Sequence, residues 1–358
     1  MRPNPGLRAR LDRHPAAGAE VVVLDQSRAW NSFVAGHRAG TPYHRYEWLE
    51  LMRRSFGYRP VPLAAISDRR VVGVLPLVLV ESWWAGRSLI SVPFADAGGA
   101  LARHPEIEQA LWDRAVEVAV DEGARYLEVR RDSLATDAAG RPEQPVAWVG
   151  NLMPTIPAQW KHAGVRLRNR IRAAQLSGLA VASGGIAHLN AFYEVFARAG
   201  RNVGRPAPGR AFFRDLLDTF PDSARIFLVA EQDATIAGAV AMAYQGTLEV
   251  RWTAWRSDCV ARGCVHRLYW ELMQHGVRAG LKRIVFGRGL PGHGRGFVEQ
   301  WGARAVPQAW EYWTATGRRP PERRLSLGAP WRAAARLWQC IPVCLADRLN
   351  PFIIRHLP

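Results

Sequence analysis

Lysine and cysteine are both scarce in this chain. Lys161 and Lys282 are the only lysines, so arginine supplies 46 of the 48 basic residues. None of the four cysteines forms a C-x-x-C pair or stands near histidines at a zinc-binding spacing. The sequence therefore predicts neither a structural zinc site nor a disulfide framework, and a reducing cytosol is the expected compartment.

Long apolar runs are also missing. The longest, Val71 to Val80, has about half of the ~20 residues that a membrane-spanning helix needs. It contains Gly73 and Pro76, and the first residues of the chain do not have the pattern of a signal peptide. We expect a cytoplasmic protein, with the inner face of the membrane as an alternative location.

The formal net charge is +17. An arginine-rich composition is common in proteins from GC-rich genomes, which is one interpretation. The other is binding to an anion such as nucleic acid, a phosphorylated substrate or a membrane surface, because the planar guanidinium group binds phosphate through two hydrogen bonds. Composition does not separate these interpretations.

An internal repeat predicts the fold. Residues 63–75 align without a gap with residues 228–240, so that Asp68 matches Asp233 and Gly73 matches Gly238. Each copy has the pattern of a hairpin, preceded by an amphipathic helix and followed by a second helix and a short strand. The chain is therefore predicted to be an α/β protein (α+β, with mixed sheets) made of two similar modules.

The predicted boundaries follow the repeat and the composition. The first module covers residues 18–155 and the second covers 156–316. Residues 317–358 form a polar linker and an apolar helical tail, for which two interpretations stay open. The tail either lies on a membrane surface or covers the second module.

Several short motifs, in order along the chain, resemble FemAB-like proteins. They are Tyr43-His44, Phe56-Gly57-Tyr58-Arg59-Pro60, Ser91-Val92-Pro93-Phe94, Gly98-Gly99, Arg168-Asn169-Arg170-Ile171-Arg172, Leu268-Tyr269-Trp270-Glu271, Phe286-Gly287-Arg288 and Gln300-Trp301-Gly302. The tail is similar to the branch of that family associated with exosortase and exopolysaccharide (PEP-CTERM) gene systems.

The resemblance implies two tandem acetyltransferase-type (GNAT-like) modules that join an acyl or aminoacyl group to an amine. It implies no permanently bound cofactor, with aminoacyl-tRNA or an acyl thioester as the donor. The implied acceptor is an anionic small molecule or glycan precursor of the cell envelope or of exopolysaccharide synthesis. Transfer RNA and a peripheral membrane contact are the further expected partners.

Four arginines between Arg166 and Arg172 form the clearest predicted binding surface. Like charges at helical spacing repel unless an anion or water screens them. A phosphate site is the functional interpretation, with Arg168, Asn169 and Arg172 as substrate-binding residues, and a solvated helix face is the alternative. This helix begins the second module, so the reaction is expected at the junction of the two modules.

A second candidate surface follows a predicted core strand. Phe286 and Gly287 end the strand, and Arg288 and His293 lie in the glycine-rich segment after it. Arg288 is predicted to be catalytic, and Phe286, Gly287 and His293 are predicted to bind substrate. The resemblance adds two tryptophans to the substrate-binding set, Trp270 and Trp301.

The first module contributes three more candidates. Gly98 and Gly99 would allow substrate to approach the backbone closely. Asp96 is the candidate general base, because an attacking amine must lose a proton, and a turn or helix-cap aspartate is the alternative. Catalysis would otherwise depend on positioning and on stabilisation of the oxyanion.

The sequence departs from the family pattern in the second module. Val298 and Glu299 stand where a lysine pair is usual, Val285 where an acidic residue is usual, and Gly289 where a serine is usual. A catalytically degenerate relative that binds an anionic saccharide, a lipid-linked ligand or a partner protein is therefore the second hypothesis. The charge alone suggests a third, a nucleic-acid-binding protein.

Overall fold

A computed structural model of the chain describes residues 18–131, 146–287, 295–317 and 329–356. These residues form two compact units, and each unit contains one seven-stranded sheet with helices packed on it. Each sheet has one parallel strand pair among antiparallel pairs. The predicted α/β class with mixed sheets is confirmed.

The first unit has the strand order β1-β2-β3-β4-β6-β14, with the short β5 paired to β3. Its strands are β1 (Glu20–Val23), β2 (Arg59–Ser67), β3 (Arg70–Ser82), β4 (Gly86–Ser91), β5 (Leu101–Ala102), β6 (Tyr126–Arg131) and β14 (Ala309–Thr314). Its helices are α1 (Ser27–Gly36), α2 (Tyr46–Phe56) and α3 (Pro105–Asp121).

Helix α3 covers one face of this sheet. Pro105 occupies the first turn, where a missing N–H costs nothing, and Ile107, Leu111 and Ala115 recur every four residues on the buried side. A Cβ at Gly73 of β3 would lie 2.7 Å from Cγ2 of Ile107. Glycine is therefore required for α3 to pack directly on the strand. Because side chains alternate along β6, the face opposite α3 carries Glu128 and Arg130.

The second unit has the strand order β13-β7-β12-β11-β10-β9-β8. Its strands are β7 (Val146–Asn151), β8 (Ala180–Gly184), β9 (Ala224–Glu231), β10 (Ala234–Tyr244), β11 (Thr247–Trp255), β12 (Arg283–Val285) and β13 (Arg304–Pro307). Its helices are α4 (Ile156–His162), α5 (Val165–Leu176), α6 (Leu189–Asn202), α7 (Arg210–Thr219), α8 (Cys264–Arg278), α9 (Arg295–Glu299), α10 (Ala329–Cys340) and α11 (Val343–Ile354).

The two units share the predicted pattern of hairpin, helix and strand. The hairpins β2–β3 and β9–β10 turn where the repeat predicts, and α3 and α8 follow at the expected places. In each unit the parallel strands pair over only three residues. β4 pairs with β6 at 88–90, and β11 pairs with β12 at 247–249. After residue 90 of β4 and residue 249 of β11, the parallel hydrogen-bonded pairing stops.

Two strands do not follow chain order. β7 precedes the helices of the second unit and pairs with β12 and β13, whereas β14 comes late in the chain and pairs with β6 of the first sheet. Within the described residues, the first unit therefore comprises 18–131 and 308–317, and the second comprises 146–287, 295–307 and 329–356. Division of the chain at 155 and 316 stays a prediction. β7, which precedes residue 155, belongs to the second sheet, and β14, which precedes residue 316, belongs to the first.

The tail is helical, as predicted. α10 and α11 are joined at Ile341-Pro342 and both pack against α6 of the second unit. Among the described residues, every helix is too short or too polar to cross a bilayer.

Candidate functional site

The loop after β4 holds the candidates of the first unit. Val92 and Phe94 have φ angles of +41° and +63°, in the left-handed region that residues with a Cβ rarely occupy. Phe94 packs on Phe56, with ring centroids 4.6 Å apart. A β-branched valine in this conformation is held only by strong surrounding contacts, and such strain is concentrated at functional sites.

A buried ion pair supplies those contacts. Glu128 and Arg130, both on β6, are 1% and 4% exposed and are joined by an Nη2–Oε1 distance of 2.6 Å. The guanidinium group also donates to the carbonyls of Ala95 at 2.6 Å and Val92 at 3.4 Å. The ring of Trp310, from β14, lies 4.6 Å from its centre. Arg130 thus holds the loop that follows β4 through its hydrogen bonds to two of the loop's carbonyl groups.

Gly98 and Gly99 are explained by the packing of the chain itself. A Cβ at Gly98 would lie 2.0 Å from Cγ2 of Val92, and one at Gly99 would lie 2.9 Å from Cα of Arg131. The N–H of Gly98 donates to the carbonyl of Arg130 at 2.9 Å. Their backbone lies close to Val92 and Arg131, which accounts for both glycines, and their role in substrate binding stays a prediction.

Asp96 is 4% exposed, and its carbonyl accepts a hydrogen bond from Nε1 of Trp310 at 3.2 Å. A general base must reach the amine it deprotonates. In this conformation the Asp96 side chain faces the interior, so it could serve as a base only after the loop moves. The role of Asp96 stays a prediction.

His44 holds the other end of the loop. Its Nδ1 accepts a hydrogen bond from the Thr41 N–H at 3.2 Å, so Nε2 carries the proton and donates to the Gly99 carbonyl at 3.0 Å. Burial lowers the pKa of His44 from 6.5 to about 3. The imidazole is therefore neutral at physiological pH and acts as a structural donor.

This burial predicts an acid sensitivity. On unfolding, His44 regains a pKa near 6.5, so the unfolded chain binds more protons below that pH and stability falls from pH 6.5 toward pH 3. The expected slope is roughly 1.4 kcal/mol per pH unit. Urea denaturation between pH 7 and pH 4 measures this slope, and His44→Gln should reduce it. An unchanged slope in that variant would show that other groups cause it.

The arginine helix of the second unit is α5. Arg166, Arg170 and Arg172 are exposed, and residues 144–193 of the sequence contain no aspartate or glutamate. Arg170 donates to Oε1 of Gln300 at 3.1 Å. Among the described residues, none of these three guanidinium groups forms an ion pair with a carboxylate. The surface is therefore uncompensated positive charge, which favours an anion.

The four arginines differ in their contacts. Arg168 donates to the Ala163 carbonyl at 2.8 Å and so completes the end of α4. Its predicted substrate role is thus combined with a structural one. Arg172 instead lies over the ring of Trp160 at 5.3 Å, and Trp160 meets Trp270 at 5.3 Å between centroids. The structure thus joins the predicted residues Arg172 and Trp270 through Trp160.

An aromatic cluster fills the space beside the parallel pair of the second unit. The ring of Tyr269 stacks on Phe286 at 5.5 Å and meets Phe297 at the same distance, and Trp301 lies 6.2 Å away. Burial raises the pKa of the Tyr269 hydroxyl. Phe286 and Trp301 are 2% and 3% exposed, so they contribute to the core in this conformation.

Four further predicted residues have different outcomes. Gly287 has a φ of +68°, and its carbonyl accepts a hydrogen bond from the Trp148 N–H at 2.9 Å, so its backbone is held by β7. Asn169 is exposed on α5 beside Arg170. Arg288 and His293 lie outside the described residues.

Two residues of the second unit, Val298 and Gly263, are explained by packing. Val298 is 2% exposed in the core of the second unit, where a lysine would bury an unpaired charge. A Cβ at Gly263, just before α8, would lie 2.8 Å from Cβ of Ala174 on α5. This glycine allows α5 to pack against the start of α8, and that contact alone accounts for a glycine at this position.

The first unit has a cationic groove of its own. A surface groove of about 540 Å³ is lined partly by Arg69, Arg70 and Arg103. All three side chains are exposed. At the repeat positions of Arg69 and Arg70 the second unit has Ala234 and Thr235. Positive charge is thus not confined to α5, and experiments on α5 need this groove as a control.

Residue types alone did not identify Glu128, Arg130 and Trp160. The two charged residues alternate with Leu127 and Val129 in a strand pattern, which is also how solvent-facing residues appear. Trp160 was one of 15 tryptophans. In the part of the chain that the structure describes, no group of three or more His, Cys, Asp or Glu side chains is placed to hold a metal ion.

The sequence and the structure were compared with known proteins. The sequence profile of the Acetyltransferase (GNAT) domain matches residues 161–293. No curated protein matches the chain by sequence. The structure is similar to the crystal structure of FemX, with a TM-score of 0.61 and 14% identity over 82% of this chain and 97% of that one.

Two more solved structures have related folds. The C-terminal domain of a putative lysylphosphatidylglycerol synthetase from Agrobacterium fabrum has a TM-score of 0.52 and 13% identity, covering 90% of this chain and 96% of that one. A tandem GNAT protein from the clavulanic acid biosynthesis pathway has a TM-score of 0.51 and 15% identity, covering 85% of this chain and all (100%) of that one. These likenesses confirm the predicted tandem GNAT-like fold.

Proposed function

We propose that the chain is an N-acyl- or aminoacyltransferase that acts on an amine of an anionic acceptor. The observation that carries the proposal is the carboxylate-free cationic surface of α5, which lies within the part of the chain matched by the acetyltransferase profile. A phosphate on the acceptor would bind the exposed guanidinium groups of Arg166 and Arg170 through charge-assisted hydrogen bonds.

The chemistry needs few protein groups. The acceptor amine attacks the carbonyl carbon of an ester or thioester, a C–N bond forms, the C–O or C–S bond breaks, and the amine loses one proton. Because the donor is already activated, holding the reactants together supplies most of the rate enhancement. The proposed roles of Arg288 and His293 are donation to the developing oxyanion and to the substrate.

The donor we favour is aminoacyl-tRNA. Before α8, where an acetyltransferase holds the pyrophosphate of coenzyme A, this chain has one glycine packed against Ala174. A single glycine in contact with α5 offers fewer exposed backbone N–H groups to a pyrophosphate than a glycine-rich turn would. The large positive charge also suits a tRNA backbone.

The acceptor we propose is a cell-envelope or exopolysaccharide precursor, modified on the cytoplasmic side of the membrane. Such precursors carry phosphate and amine groups together. One structural neighbour carries the name lysylphosphatidylglycerol synthetase, and phosphatidylglycerol is itself a phosphate-containing envelope molecule. The resemblance of the tail to the exosortase-associated branch supports the same class of acceptor.

A transfer assay with mass detection tests the proposal. The full-length protein is incubated with a nucleotide-linked amino sugar and either a charged tRNA pool or a panel of acyl thioesters. We expect the acceptor to gain the mass of one aminoacyl group with the tRNA pool alone. Reactions without protein, or with uncharged tRNA, are the controls. If neither donor class gives a product with the amino sugar, and neither gives one with a phospholipid amine as the acceptor, the proposed transferase activity is wrong.

A degenerate relative that binds without turnover is the second candidate. The burial of Val298, at a position where relatives usually carry lysine, favours it. Equilibrium dialysis of the nucleotide-linked sugar separates the two. Binding without product across the full donor panel supports the second candidate, and product formation rejects it.

A further inference from the structure

The two tail helices are firmly attached to the second unit. The Tyr193 hydroxyl of α6 donates to Oδ1 of Asp347 at 2.5 Å, and the Ala207 N–H donates to Oδ1 of Asn350 at 3.0 Å. Trp338 and Ile354 are 6% and 7% exposed. Because these contacts fix both helices against α6, their outer sides form a defined surface.

Three large apolar side chains of the tail are exposed. Leu337 on α10 is 68% exposed, and Leu345 and Phe352 on α11 are 45% and 68% exposed. Leu345 and Phe352 are seven residues apart, so they project from the same side of the helix. We call these three residues the apolar tail face. Exposed apolar side chains so close in sequence mark an interaction surface more strongly than scattered ones do.

Cations accompany the apolar tail face. Arg336, Arg348 and Arg355 are exposed. Arg348 lies on α11, one helical turn before Phe352, and Arg355 directly follows the last residue of that helix. The only carboxylate in residues 329–356 is Asp347, which bonds to Tyr193 on α6. The acidic side chain of the tail therefore faces α6, and Arg336, Arg348 and Arg355 are exposed to solvent.

This combination distinguishes between partners. A second copy of the chain would cover the leucines and the phenylalanine, but it would also bring three arginines against three arginines. An anionic bilayer accepts both groups, since apolar side chains enter the acyl boundary while arginines stay with the phosphates. Neither helix is long enough to span a membrane, so the geometry is that of helices lying on its surface.

We propose that the apolar tail face, with Arg336, Arg348 and Arg355, docks on the surface of an anionic phospholipid bilayer. The net charge of +17 attracts the chain to that surface, and the three apolar side chains provide the short-range contact. Docking does not depend on acyl transfer, so it is measured without donor or acceptor.

Co-sedimentation of the full-length protein with vesicles tests this docking. Phosphatidylcholine vesicles containing phosphatidylglycerol are compared with vesicles of phosphatidylcholine alone. We expect pelleting with the anionic vesicles. The variant Leu337→Ser/Leu345→Ser/Phe352→Ser should have a partition coefficient at least about 10-fold lower. Its control is Trp83→Ser/Leu176→Ser/Ile186→Ser, which removes three exposed apolar side chains elsewhere and should bind normally.

A charge variant tests the second part of the proposal. Arg336→Gln/Arg348→Gln/Arg355→Gln should lower anionic-vesicle binding by about 100-fold. Each arginine near such a surface raises the binding constant by about 5-fold, and three are removed. Removing Arg69, Arg70 and Arg103 instead should have a smaller effect.

Three results would overturn the proposal. They are no pelleting of the natural chain, equal pelleting of the Leu337/Leu345/Phe352 variant, and loss of a dimer in that variant on gel filtration. The dimer result would assign the face to a second copy. All the substituted side chains are exposed, so we expect each variant to unfold at the same temperature as the natural chain. That measurement confirms that each variant is folded.

Discussion

Replacing Arg166, Arg170 and Arg172 together by alanine is expected to lower kcat/KM for a phosphorylated acceptor by about 100-fold. Each hydrogen bond between a guanidinium group and a phosphate contributes roughly 1.5–3 kcal/mol, so the loss of even two accounts for this factor. Most of the change should be in KM, since binding of the phosphate is uniform through the reaction. Steady-state kinetics at several acceptor concentrations measure it.

The control removes the same charge elsewhere. Arg69→Ala/Arg70→Ala/Arg103→Ala changes the groove of the first unit and should leave kcat/KM within about 3-fold, because only long-range attraction is lost. Raising the salt concentration should weaken acceptor binding to the natural chain more than to the α5 variant. If the groove variant loses activity and the α5 variant retains it, the acceptor site has been assigned to the wrong unit.

Arg130→Met is expected to destabilise the chain by about 3–5 kcal/mol, because it leaves the carboxylate of Glu128 buried and unpaired. It also removes the donors to the carbonyls of Ala95 and Val92. Glu128→Leu/Arg130→Met removes both charges and should recover a large part of that loss. Urea denaturation at neutral pH measures both variants.

An exposed ion pair provides the comparison. Arg114 and Glu117 lie three residues apart on α3 with their side chains 38% and 44% exposed, so Arg114→Met should cost less than about 1 kcal/mol. If Arg130→Met were no more harmful than Arg114→Met, the pair would not be what holds Val92 and Phe94 in the left-handed region.

The sequence was most informative where local pattern decides structure. The repeat predicted both hairpins and a helix after each one, and in the first unit that helix runs from Pro105 to Asp121. These features depend on periodicity and on turn residues close together in the chain. The pairing of β7 with β12 joins residues far apart, and short strands carry no sequence signal for their partner.

The candidate site was less predictable, for a different reason. Arg172 and Trp270 were chosen separately, and only the structure shows Trp160 between them. Gly98 was assigned to a substrate because a glycine leaves space, yet Val92 fills that space. A glycine indicates that a position has no room for a side chain. It does not indicate whether the space is occupied by a ligand or by another residue of the protein.

The exchanged strands have a consequence for synthesis of the chain. β6 obtains its outer neighbour only from residues 309–314, so the first sheet stays incomplete until those residues, about 180 positions later in the chain, have been synthesised. Until then β6 presents an open edge, and such edges pair readily with foreign strands. A pause in translation before residues 309–314 would therefore prolong exposure of the β6 edge in a partly folded, aggregation-prone chain. The fraction of chains that need a chaperone should increase with the length of that pause.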